Sequence, residues 1–213
     1  MGTLVTEIAY LTLKPGVDIS GSTDAAKAWQ EGLSVVKKQE GYQRSYYGRA
    51  MESPDLLLWF IDWDSYEAHI NFTKSAVYES FANNLSALME GVHLHHVGLK
   101  PFPPTVLSKA PVIEFATFLD TKPQFLDNVG KFMNAVGIPE KCYGGAWGEC
   151  VETDVGKHED GSVKGKAVVL VIGWESKEAH MQFRETELFK ETLGLLREGT
   201  GGVEMFHVPF TTV

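Results

Sequence analysis

Trp63-Asp64-Ser65-Tyr66-Glu67-Ala68-His69 and Trp174-Glu175-Ser176-Lys177-Glu178-Ala179-His180 are two copies of one stretch, and reading them decides the fold. The second copy follows the first by 111 positions. That offset holds without a gap from Leu57–Leu99 to Val168–Phe210. Of these 43 aligned pairs 12 are identical, among them Ile61/Ile172, Phe72/Phe183, Leu85/Leu196, Gly91/Gly202, His96/His207 and Val97/Val208. A gap-free run of this length marks an internal duplication, so one unit is read and the other follows.

Upstream of the first copy, Leu56 to Ile61 is apolar on both faces and reads as a central, doubly covered strand that Trp63 closes. Downstream, Asp64-Ser65 cap a helix whose first turn carries Glu67. Its apolar stripe runs to Leu88, with a break near Ser75, and Gly91 is read as its stop. Val92 to Leu99 is a last strand.

Further upstream, Leu4 to Leu13 alternates Thr6/Ile8/Tyr10/Thr12 against Glu7/Ala9/Leu11/Leu13, the period of a strand. Thr23-Asp24 begin a helix with Ala25, Trp29, Leu33 and Val36 on one side, and Gly41 stops it. Tyr42 to Arg49 is a second strand, turned by Glu52-Ser53-Pro54-Asp55. The order β-α-β-β-α-β is the ferredoxin-like unit.

The pattern repeats as a strand from Val112 to Leu119, a helix from Pro123 to Val136, strands from Gly144 to Val151 and Lys166 to Trp174, a continuous helix from Glu175 to Glu198, and a strand from Val203 to Phe210. Lys100-Pro101-Phe102-Pro103-Pro104 is a stiff link between them. The domains are therefore read as 1–102 and 111–213, with a Pro-rich linker at 103–110. Tyr47-Gly48 matches Trp147-Gly148 at an offset of 100, so 11 residues are inserted in the second hairpin, near 152–165. The insert is polar and Gly-rich and is expected to protrude as a loop.

The bulk numbers bound the function. The 213 residues suit two units of about 100 residues each. A 44% hydrophobic fraction with five Trp supplies a core. The formal net charge of −9 argues against nucleic acid and against an anionic membrane surface. No apolar run is long enough to span a membrane. Cys142 and Cys150 lack CxxC spacing, and Met1 to Val5 lacks a basic leader, which together point to a reducing, cytoplasmic compartment. No Gly-rich phosphate loop and no Gly-x-Ser-x-Gly elbow are present.

A strand followed by Trp-x-Ser-x-Glu-x-x-x-x-Phe at a helix start, then a late strand with His, resembles the antibiotic-biosynthesis-monooxygenase-like families of the dimeric α+β barrel superfamily. The resemblance covers both halves. It implies an α+β fold in which two ferredoxin-like units pack their antiparallel sheets face to face, here as an intramolecular barrel of tandem ABM-type repeats. The chain would then be a monomer with an internal pseudo-dimer, or a homodimer. Family members include cofactor-independent oxygenases of aromatic polyketides, haem-degrading oxygenases, polyketide cyclases and proteins of no known activity, so fold transfers better than chemistry.

Among the duplicated residues, Trp63/Trp174 read as apolar plugs, and His69/His180 as groups bonding across the strand–helix corner. His96/His207 lie on the strand face shared with Val92/Val203, as satisfied core groups or as pocket bases. Residues present in one copy favour the first half: Tyr10 aligns with Thr117, Tyr46 with Ala146, His93 with Glu204 and His95 with Phe206. His93 and His95 share one side of their strand and His96 points to the other.

The leading expectation is an enzyme without a cofactor, acting on a small apolar ligand that is aromatic or polyketide-like. His96 or His95 removes a proton, and Tyr10, Tyr46 or Tyr47 donates to the developing enolate oxygen. Trp59, Trp63, His93, Trp147 and His207 complete the expected binding wall. Oxygenation and cyclisation both stay open, and a non-catalytic, stress-related binding barrel is the alternative. Haem is third: His69 or His96 could ligate it, but Thr6-Glu7-Ile8-Ala9-Tyr10 lacks the Asn of haem-degrading relatives. No metal is expected, because His93-x-His95 has no third ligand nearby except Glu90 or Glu7.

Overall fold

The computed structural model describes residues 3–155 and 165–213. Its elements are β1 (Val5–Leu13), α1 (Asp24–Lys37), β2 (Tyr42–Ala50), β3 (Ser53–Trp63), α2 (Tyr66–Thr73), α3 (Tyr78–Ser86) and β4 (Met89–Val97). The second repeat has α4 (Val106–Lys109), β5 (Val112–Leu119), α5 (Phe125–Val136), β6 (Cys142–Glu149), β7 (Val168–Trp174), α6 (Lys177–Arg184), α7 (Glu187–Thr192), α8 (Gly194–Arg197), β8 (Gly202–Val208) and β9 (Thr211–Thr212). The first sheet runs β4-β1-β3-β2-β9 and the second β6-β7-β5-β8. Leaving β9 aside, both have the ferredoxin-like strand order, and the fold is α+β with two ferredoxin-like units.

The strand registers repeat as the sequence does. Val5 faces Trp63 and Glu7 faces Ile61; Val112 faces Trp174 and Glu114 faces Ile172. The chain divides into two compact units, Met1–Leu94 with Thr211–Val213, and His95–Phe210. The last three residues belong to the first unit because β9 pairs with β2, Tyr46 against Thr212 and Tyr47 against Thr211. In the same way Val97 and Lys100 bridge Cys150 and Trp147, at the β6 edge of the second unit. Stretches read as the end of a strand and the start of a linker thus cover sheet edges that would otherwise offer unpaired backbone groups.

In the first unit, α1, α2 and α3 cover one sheet face. Trp29, Leu33 and Val36 of α1 and Phe72 of α2 pack on Leu11, Leu57, Trp59, Ile61 and Trp63. Gly32 permits the approach of α3, since a Cβ there would lie 2.9 Å from Leu85 Cδ2. Thr6, Ile8, Tyr10, Phe60 and Asp62 on the other face are buried too. In the second unit Phe125, Val129 and Phe132 of α5 and Phe183 of α6 pack on Phe118, Leu170 and Trp174.

Several element boundaries differ from the sequence reading. The helix read as continuous over Glu175–Glu198 is three pieces, because Thr186 breaks off after α6 and recaps α7 by accepting from Phe189 N. The chain leaves α3 at Ser86, and Gly91 lies inside β4 rather than stopping the helix. The polar turn at Ser53-Pro54-Asp55 is already strand. The linker at 103–110 contains α4. Most of the expected inserted loop, 156–164, lies outside the described residues.

Candidate functional site

The strand–helix corner that carries the repeated motif is built the same way twice. Ser65 Oγ accepts from Ala68 N and Ser176 Oγ from Ala179 N, each at 3.2 Å. Asp64 N donates to Gly41 O at 2.8 Å, and Glu175 N to Lys141 O at 2.9 Å. Both acceptors hold left-handed backbone, Gly41 at φ 85° and Lys141 at φ 64°. At Gly41 a side chain is excluded as well, since a Cβ would lie 2.5 Å from that of Ala68. The corner fixes the first turn of α2, and with it His69.

His69 lies beside a carboxylate. Its Nε2 is 3.6 Å from Glu7 Oε2, an ion-pair distance longer than a hydrogen bond. The same oxygen accepts from Trp63 Nε1 at 2.8 Å. Trp63 therefore does more than fill space: its indole N–H holds the Glu7 carboxylate from the diagonal position on the neighbouring strand. The second unit repeats this with Trp174 Nε1 donating to Glu114 Oε2 at 2.9 Å and His180 Nε2 at 3.3 Å from it. There the chain of polar groups continues, because His180 Nδ1 and His207 Nε2 share a hydrogen bond at 2.8 Å. Burial pushes the Glu114 carboxyl up to about 7, against the opposing pull of the Trp174 N–H and of Arg184.

In the first unit the carboxylate and imidazole stand at a cavity of about 230 Å³ between the sheet and the helices. Trp59, Ile61, Phe72 and Phe81 give it apolar walls, and Val92 and Leu94 of β4 line it from the sheet edge. Tyr78, the first residue of α3, also lines it. Burial and the nearby charge of Glu7 oppose ionisation of its hydroxyl, which stays a protonated donor. At the aligned position of the second unit stands Phe189. A second hollow, at Gln39, Asp64, Glu67 and Asn71, is polar and lacks such walls.

The expected site residues are distributed over several places. Trp59 and Trp63 line the cavity. Tyr47 faces the same side, edge-on to Trp29 at 5.2 Å. Tyr10 is on the opposite face, stacked on His93 at 4.2 Å. Tyr46 is buried and pairs with Phe60 in the ladder. His95 and His96 are both buried. His96 holds Glu152 twice, its backbone N–H donating to Oε2 at 2.7 Å and its Nδ1 bonding Oε1 at 2.6 Å. Burial works to raise the Glu152 carboxyl, but those bonds keep it below its ordinary value. Trp147 packs beside Gly130 of α5, and His207 belongs to the Glu114–His180 chain. Both thiols are free and burial raises both, so neither is a ready nucleophile.

Sequence reasoning named Glu7 only as a conceivable third metal ligand and passed over its pairing with His69 and its counterpart Glu114. The signal was present: both copies carry a carboxylate at the same place in their first strand, where the neighbours are apolar. His69, read as a corner-bonding group, stands with Glu7 at the cavity.

Residues 4–84 match the family model of the antibiotic biosynthesis monooxygenases (ABM). The match lies within the first half of the chain, around the motif at Trp63 that carries the same resemblance. Three solved structures extend the likeness of fold over both halves. An anthrone oxidase-like protein has a TM-score of 0.71 at 15% identity, covering 99% of this chain and 93% of its own. A candidate monooxygenase from Fusobacterium nucleatum has a TM-score of 0.66 at 11% identity, covering 99% and 94%. One from Lactobacillus acidophilus has a TM-score of 0.63 at 10% identity, covering 99% and 96%. No curated protein matches the sequence. Among the described residues no helix is long and apolar enough to cross a membrane.

Proposed function

We propose that the first unit is an enzyme that removes a proton from a small aromatic or polyketide-like molecule, without an organic cofactor. The observation that carries this reading is a buried carboxylate–imidazole pair, Glu7 and His69, at the side of a largely apolar cavity. The Glu7 carboxylate is an acceptor held at the cavity wall and shielded from bulk water, placed to receive a proton from a bound molecule. The indole of Trp63 holds it in place and His69 lies ready to share the incoming proton. The volume, below the roughly 300–1,000 Å³ of drug-sized sites, suits a ligand of one or two rings.

In this scheme a C–H or O–H bond of an enolisable ketone or phenol breaks, its proton goes to the Glu7–His69 pair, and the electron pair moves onto the substrate oxygen. The resulting enolate has two outlets. It attacks an internal carbonyl, closing a ring, or it meets dioxygen, one atom of which stays on the carbon while the other leaves as water with two substrate hydrogens. The monooxygenase-like fold favours the second outlet.

The proton step is testable apart from either outlet. In D2O the protein should catalyse exchange of the acidic methylene hydrogens of 2-tetralone, followed by proton NMR. Glu7→Gln and His69→Ala should slow that exchange by roughly 10²–10⁴-fold, the usual contribution of general acid–base catalysis. Exchange undiminished in Glu7→Gln would remove the pair from the mechanism.

A further inference from the structure

We propose that Tyr78 is the residue that recognises the ligand's oxygen, and that the ligand is neutral, carrying a carbonyl or enol rather than a carboxylate or an ammonium. This rests on the reading of the cavity as the ligand site and goes beyond it by naming the donor and the charge class.

The first support is a count of side-chain donors along the cavity wall, where His69 stands against Glu7 at 3.6 Å. The Trp63 indole N–H is committed to Glu7. The Ser86 hydroxyl donates to Asn83 O at 2.9 Å. The Trp59 indole N–H is fully buried, with Trp29 edge-on at 5.0 Å, and a ligand cannot reach it. The Tyr78 hydroxyl is held at the start of α3 by ring contacts to Phe72 at 5.2 Å and Phe81 at 5.8 Å. It makes no hydrogen bond to any described residue. A donor fixed by its ring and uncommitted at its oxygen, beside the proton-accepting pair, is placed to polarise a carbonyl while the adjacent proton leaves.

The second support is charge. Glu7 and Glu90 line the cavity, and among the described residues no Lys or Arg does. A carboxylate ligand would meet the like charge of Glu7 and Glu90, which in a low-dielectric pocket is costly. An ammonium would pair with Glu7 and so engage the carboxylate that the proposed proton transfer needs, and it brings no carbonyl for the tyrosine hydroxyl to polarise.

The third support is the repeat. The second unit keeps Glu114, His180 and Trp174, the whole Glu–His–Trp corner. It replaces Tyr78 by Phe189, which packs among Phe132 and Phe183, and Ala82 by Leu193, which packs on the same cluster. The hydroxyl is thus absent where its neighbourhood is filled by larger side chains. Phenylalanine at this position is compatible with the fold, as the chain itself demonstrates.

The test is a binding series on the whole protein, read by quenching of the cavity tryptophans, with 2-tetralone, tetralin, 2-naphthoate and 2-naphthylmethylammonium as probes. Wild type should bind 2-tetralone roughly five- to tenfold more tightly than tetralin, the share of one neutral hydrogen bond. Tyr78→Phe should bring 2-tetralone down to the tetralin value and leave tetralin unchanged. Equal binding of 2-tetralone by wild type and Tyr78→Phe overturns the role of Tyr78 while leaving the cavity as a ligand site. Tightest binding of the naphthoate or the ammonium overturns the charge class. If none of the four binds wild type, the reading of the cavity itself fails.

Discussion

A carboxylate wedged between an indole N–H and an imidazole occurs twice in this chain, and at Glu114 its energetic consequence is measurable. Burial raises the Glu114 carboxyl from 4.5 to about 7. The folded state therefore holds a proton that the unfolded chain has already released across that interval. A raised folded pKa contributes stability that is complete below the unfolded value and is lost as pH climbs through the folded one. Between pH 4.5 and 7 this one group should lower stability by an amount on the order of 2–3 kcal/mol, at 1.36 kcal/mol per pH interval of one. Glu114→Gln keeps an oxygen for the Trp174 N–H but cannot ionise. Urea unfolding at pH 5 and pH 8 should show the variant gaining on wild type at the higher pH. An identical offset at both pH values would mean that folding does not hold the proton on Glu114 as described.

Helix starts were the most legible elements, because capping is local chemistry that a few adjacent residues specify. Thr23 and Ser65 cap as their positions implied, and Ser176, inside the stretch read as helix from Glu175, caps in the same way as Ser65. Helix ends were less legible. Thr186 recaps the chain in the second repeat, whereas the first breaks at Ser75 and restarts at Val77 without a side-chain cap. Gly91 looked like a helix stop only because a strand beginning at Met89 has no apolar alternation to announce it. The caps also separate stability from function. Ser65→Ala and Ser176→Ala should each cost about 1 kcal/mol in chemical denaturation. Only Ser65→Ala should also weaken 2-tetralone binding, since it loosens the turn that places His69. Equal loss of binding in both variants would contradict the assignment of the site to the first unit.

At the scale of the whole molecule, duplication explains why so much of the fold could be read. Two copies of Trp-x-Ser-x-Glu-Ala-His fix two strand–helix corners, and each unit then follows with one strand order and one register. The cavity was less legible for a physical reason. Glu7 is one polar residue in a strand whose partners are Ala9 and Leu11, and its burial depends on Trp63, 56 positions away. Alternation places Glu7 on the face of Ala9 and Leu11 but does not show what pairs its charge. Tyr78 was hidden in the same way, as one more aromatic in a helical stripe.

Edge protection belongs to this scale as well, and nothing local foretold it. Three residues, Thr211 to Val213, complete the first unit's sheet along β2, with Val213 N donating to Ser45 O at 3.0 Å. Removing them should bare the backbone groups of Ser45 to Tyr47 on the outer side of the strand that carries Tyr47 against Trp29. The net loss should be about 1–2 kcal/mol, since each exchanged backbone bond is worth roughly 1 kcal/mol and ordering three residues offsets part of it. Hydrogen exchange should then show faster amide exchange along β2, with β6 unchanged because its own edge is covered by Val97 and Lys100. An exposed strand edge also pairs readily with another chain, so the shortened protein should self-associate more at high concentration in sedimentation runs. Unaltered β2 exchange in the shortened protein would show that these three residues lie on the sheet without securing it.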